Sequence, residues 1–121
     1  MTIALWVASG LLAFLYLFAG GTKTFSSKAA LASKMSWTRS ASPATIKVVG
    51  ILELLGAVGV IVPWLTGIAP ILTPIAATGL AAIQLVAIVI HIRLGEPKSV
   101  PFNVILLLLA VFVAVFRFAG V

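Results

Sequence analysis

Residues 43–63 read PATIKVVGILELLGAVGVIVP. An α-helix needs about twenty residues to cross a hydrocarbon core of about 30 Å, and this run supplies them. Near its middle sits Glu53, the only ionisable side chain between Lys47 and His91. A carboxyl group at that depth is costly to keep from water, so the default reading of an intramembrane acid is a site with a partner. Gly50, Gly56 and Gly59 recur with Glu53 at three-residue spacing, and Ala57 lies one turn beyond it. Small residues let membrane helices approach closely. This face, and Glu53 with it, is expected to turn toward other helices and away from lipid.

The rest of the chain is written for the same solvent. Of its 121 residues 63% are hydrophobic and 8% charged, against about 25% charged in soluble domains. The mean hydropathy is +1.31. A soluble domain this short could not hide so much apolar surface, so the expected medium is a lipid bilayer. The net charge is +6. The basic residues flank apolar spans and no nucleic-acid-reading motif is present, which excludes nucleic acid as a partner and favours an anionic leaflet surface. The chain has no cysteine, which excludes disulfides and thiol catalysis within it.

Four spans are expected, at about 3–21, 44–62, 71–92 and 101–118. The first charged side chain, Lys23, follows the first apolar run. A secretory signal wants positive charge before that run, so span one reads as retained. Gly10, Ala13, Leu17 and Gly20 form a stripe of mostly small residues on it. Between Thr24 and Ser42 the chain is basic and serine-rich. Ser27 is placed to cap a short helix through Ala29, Leu31 and Met35 to Trp37, lying on the membrane surface. Pro43 suits the first turn of span two, and Pro63 is read as its end. Trp64 to Pro70 forms an uncharged turn. Pro101 opens span four, Asn103 sits in its first turn, Ala110 and Ala114 continue that face, and Arg117 anchors the far end. The fold class is an all-α membrane protein: one domain over 1–121, a four-transmembrane-helix bundle with a short interfacial helix between spans one and two.

Loop one carries Lys23, Lys28, Lys34 and Arg39, with Lys47 just beyond; loop three carries Arg93 and Lys98; loop two carries no basic residue. The positive-inside rule puts loops one and three in the cytoplasm and both termini outside. On that topology Lys23, Glu53, Gln84, His91 and Asn103 all tend toward the cytoplasmic half, and a bundle can gather them in one polar pocket. Each has a plainer use as well. Lys23 serves as a snorkelling anchor, Gln84 as a helix-to-helix hydrogen bond, His91 as an interfacial residue, Asn103 as a helix cap and Glu53 as a structural pair with Lys23 or His91. One Glu and one His fall short of the three or four ligands of a metal cage, so no metal site is expected. No serine has a convincing base in reach for nucleophilic catalysis.

The run GGTK at Gly20 to Lys23, VVGILELLGAVGVIVPWLTGIAPILTP at Val48 to Pro74, HIRLGEP at His91 to Pro97 and PFN at Pro101 to Asn103 resemble the DoxX-like family of small bacterial membrane proteins. The likeness runs over nearly the whole chain. It implies a four-helix domain in a bacterial cytoplasmic membrane, with characteristic polar positions at Lys23, Glu53, His91 and Asn103. The family takes its name from a subunit of a thiosulfate:quinone oxidoreductase, and other relatives are linked to thiol and redox homeostasis. The resemblance therefore implies a redox- or quinone-linked membrane subunit, with a bound quinone or lipid as its candidate cofactor. A proton-coupled transporter or channel, and an assembly subunit without chemistry, stand as alternatives, and whether the chain is an enzyme is open. Its partners would be lipid, another membrane protein of a complex, or a second copy, which small-residue faces permit without requiring.

Overall fold

The computed structural model describes residues 2–25, 43–95 and 100–120. It contains helices α1 (Thr2–Phe25), α2 (Pro43–Gly59), α3 (Val62–Thr66), α4 (Leu72–Arg93) and α5 (Val100–Phe118). Four stretches are long and apolar enough to span a membrane: Thr2–Phe25, Ala44–Thr66, Leu72–Arg93 and Val100–Phe118. The expected surface helix from Ser27 to Trp37 lies outside the described residues. Large side chains such as Phe14, Phe18, Leu55, Ile105 and Leu108 point outward. In water such a surface would aggregate; against lipid tails it is the ordinary exterior of a bundle.

Helix α1 packs on α2 and α4 on α5, and the two pairs close through α1–α5 and α2–α4 contacts. The four spans thus form a ring in the order α1, α2, α4, α5. Neighbours in the ring run antiparallel. At one end Lys47 Nζ donates to Thr24 O at 3.2 Å; at the other, Gly59 of α2 meets Ala76 of α4. We call the first the basic end and the second the terminal end. Each helix turns a seam of heptad spacing inward: Ser9, Tyr16 and Lys23 on α1; Ile46 and Glu53 on α2, with Val60 just past its end; Ala77, Gln84 and half-buried His91 on α4; Asn103, Ala110 and Arg117 on α5. A 3.5-residue repeat is the period of knobs-into-holes packing between helices.

Two readings of the sequence need correction. On α1, Gly10 and Leu17 face outward, and only Ala13 and Gly20 of the expected stripe are buried. Small residues permit close approach but do not attract a partner; the burial of Leu5, Leu12, Tyr16 and Lys23 decides the rotation of this helix. Gly20 is where the stripe matters, since a Cβ on it would lie 2.7 Å from Gly50 O. Pro63 is the second correction. Helical structure resumes after a break at Val60–Ile61, and Pro63 sits in the first turn of α3, where a missing N–H costs little. A glycine in left-handed conformation, Gly67 at φ 72°, then caps α3.

The break deprives Gly59 O of its usual helical donor. Proline cannot donate to the carbonyl four residues before it, which is Gly59 O. Thr73 Oγ1 donates to that oxygen at 2.9 Å from the start of α4. A side chain on the next span replaces the hydrogen bond that the proline removed.

Two stability predictions follow from these contacts. Gly50→Ala would put a methyl 2.8 Å from Lys23 Cβ and 2.9 Å from Gly20 O; overpacking against backbone is expected to cost about 1–3 kcal/mol of unfolding free energy in detergent titration. Thr73→Val keeps the shape and orphans Gly59 O, and is expected to cost about 1–3 kcal/mol, whereas Thr73→Ser stays near the unmutated protein. Equal stability of the valine and serine variants would show that the bond does not hold the break.

Candidate functional site

The polar interior is built from the basic end inward. Lys23 lies in the last turn of α1. Glu53 lies mid-way along α2 and is 2% exposed. Lys23 Nζ donates to Glu53 Oε1 at 2.6 Å. The contact exists because the two backbones can touch: on the neighbouring turns Gly20 and Gly50 leave no room for a Cβ. In hydrocarbon an unpaired charge is strongly unfavourable, and a close, charge-assisted hydrogen bond is what makes burial of both groups tolerable.

Two turns further in on the same seam of α1 stands Tyr16, 1% exposed. Its hydroxyl donates to Leu80 O at 3.1 Å and accepts from Gln84 Nε2 at 2.5 Å. Tyr16 therefore ties α1 to α4 across the bundle. The residue was not among those expected at the site. Its signal was present: it precedes Lys23 by seven residues, on the face that also holds Ala13 and Gly20. Gln84 spends its amide N–H on Tyr16, and its Oε1 is buried without a hydrogen-bond partner among the described residues.

Asn103 occupies the first turn of α5, where it is 7% exposed, with Nδ2 buried and without a hydrogen-bond partner among the described residues. His91 is half-buried in the last turn of α4. Of the five expected residues, Lys23 and Glu53 are in direct contact, Gln84 is joined to Tyr16, and Asn103 and His91 stand at the basic ends of the adjoining helices. No group of three or more His, Cys, Asp or Glu side chains is gathered among the described residues.

The terminal end holds a second polar feature. Arg117, expected as a surface anchor, is buried. Its guanidinium carbon lies 5.1 Å from the ring centre of Trp6 and 4.3 Å from that of Trp64. Cation–π attraction at these distances is worth about 0.5–2 kcal/mol per ring when desolvated. It gathers α1, α3 and α5 at the end opposite the ion pair.

The ion pair can be tested by removing its halves separately and together. Lys23→Met strands the Glu53 carboxylate and is expected to cost about 3–5 kcal/mol in unfolding titrations, and Glu53→Leu strands Lys23 at similar cost. The double substitution, which leaves no charge behind, is expected to recover most of that loss. Additive losses would mean that the two groups do not interact.

No curated protein and no solved structure gives a significant match to the chain. The model of the DoxX-like family matches residues 7–113, a stretch that includes the ion pair, Tyr16, Gln84, His91 and Asn103. By that match the chain belongs to the DoxX-like family of proteins.

Proposed function

We propose that this integral membrane protein is a binding subunit that holds an apolar molecule of the quinone class by its polar head inside the bundle, with electron transfer carried by a partner protein. The observation that carries the reading is the pair of unmatched amide atoms, Gln84 Oε1 and Asn103 Nδ2, on two adjacent helices of the interior. Buried amides normally complete their hydrogen bonds. One acceptor and one donor left over in an apolar surround suit a small ring with an apolar tail that bears a hydroxyl as well as a second oxygen, as the reduced member of the quinone class does. A quinone supplies reversible two-electron carrier chemistry when bound. The protein's own residues orient its head and exclude water; the chain has no cysteine to do more.

The Lys23–Glu53 contact supports this reading over a proton-coupled transporter. A coupling acid must be open to exchange along a transport path, and Glu53 is 2% exposed with its Oε1 taken up by Lys23 Nζ at 2.6 Å. In the proposed arrangement the pair is a clamp between α1 and α2, and the basic end faces the cytoplasm of a bacterial cell.

The reading is tested with protein reconstituted in lipid nanodiscs. Adding decylubiquinone, oxidised or reduced, is expected to raise the thermal midpoint, and extraction of the purified protein is expected to yield a bound quinone or a lipid of similar size. No co-purifying molecule, together with an unmoved midpoint in both redox forms, would contradict it.

A further inference from the structure

Tyr16 fixes more than the packing of α1 on α4. A phenol has one proton to give, and Tyr16 gives it to Leu80 O at 3.1 Å. Toward Gln84 it can then only accept, so the 2.5 Å contact must be donated by Nε2. This settles which way the amide of Gln84 faces. One N–H of its NH2 is held by the tyrosine, which fixes the side on which Oε1 stands. Gln84 is 5% exposed, and Oε1 has no hydrogen-bond partner among the described residues. A helix amide locked in this sense presents its oxygen, an acceptor, as the unmatched atom.

Resting on the binding reading above, we infer that Gln84 is a specificity-determining residue that selects the hydroxyl-bearing, reduced form of the head group over the carbonyl form, with Tyr16 as its positioning residue. A hydroxyl on the ligand donates to Gln84 Oε1 and completes the amide. A carbonyl at the same place sets two acceptors against each other and leaves both desolvated, which is the more costly error in a buried site. Sites built to hydrogen-bond a hydroxyl discriminate strongly against analogues that lack it. Asn103 Nδ2, the unmatched donor on α5, can serve an oxygen of either form and does not discriminate. Tyr16 touches no ligand in this scheme. It acts by denying Gln84 the rotation that would present Nε2.

The test is an anaerobic titration of the reconstituted protein, followed by tryptophan fluorescence, with three probes of one shape: decylubiquinol, decylubiquinone and the dimethyl ether of decylubiquinol. The quinol is expected to bind roughly tenfold or more tightly than the other two. The ether separates hydrogen-bond donation from redox state, since it is reduced but has no proton to give. In Tyr16→Phe the amide is free to turn, so the preference for quinol over quinone is expected to collapse while both still bind. Gln84→Met, which removes the acceptor and keeps the volume, is expected to bring quinol affinity down to that of the ether, and carries the test if Tyr16→Phe fails to fold. Equal affinities for all three probes, as when a water completes the amide, would overturn the selection and leave the binding reading standing. Tighter binding of the quinone would overturn it in the same way and would mean that Nε2 faces the ligand. Failure of every probe to bind would overturn both.

Discussion

Hydrocarbon does not solvate charge, and the Lys23–Glu53 contact is how this chain satisfies that constraint at its interior acid. The pair requires α1 and α2 to touch, which requires glycine at positions 20 and 50. Buried together with Leu5 and Leu12, the pair sets the rotation of α1. That rotation turns Tyr16 inward, one heptad from Lys23, and so brings its hydroxyl to Gln84 on α4. The ring of helices then closes through α5. At the other end the same constraint acts on an arginine, answered there by two indole rings.

The backbone obeys the constraint as well. Pro63 interrupts the second span, and in lipid an orphaned carbonyl cannot turn to water. The Thr73 hydroxyl meets it. Breaks in membrane helices persist where a neighbouring span supplies the lost partner, and here the partner is the first buried polar residue of the next span.

Much of this was legible from residue type and spacing alone. Four apolar runs of bilayer length gave the four spans, and glycine every three residues around Glu53 gave its inward face. Where residue type and spacing mislead, the cause is physical as well. Gly10 and Leu17 share a helical stripe with Gly20, yet smallness is only permission to pack, and larger buried neighbours set the rotation. Pro63 carries the same signal whether it ends a helix or opens the next one; only the chain beyond it decides. Tyr16 sits in an unbroken apolar run and looks like one more hydrophobic residue until its partner on α4 is known. Arg117 near a chain end looks like an anchor, since two tryptophans far apart in sequence give no hint that they converge on it.

The interior thus combines a clamp, which is complete within itself, with two amides that are not, Asn103 at the basic end and Gln84 deeper in. The first accounts for the fold and the second for the proposed binding, and they rest on different residues. The clamp is the deeper commitment, because the rotation of α1 that presents Tyr16 depends on it. Magic-angle-spinning NMR of the protein in lipid bilayers tests it most directly, through the dipolar coupling between Lys23 Nζ and the Glu53 carboxyl carbon. A strong cross-peak between these two sites is predicted at neutral pH, lost in Glu53→Gln at that carbon's shift. Absence of the cross-peak in well-ordered samples, with Lys23 Nζ resonating as a solvent-exchanging amine, would contradict the clamp and the architecture built on it.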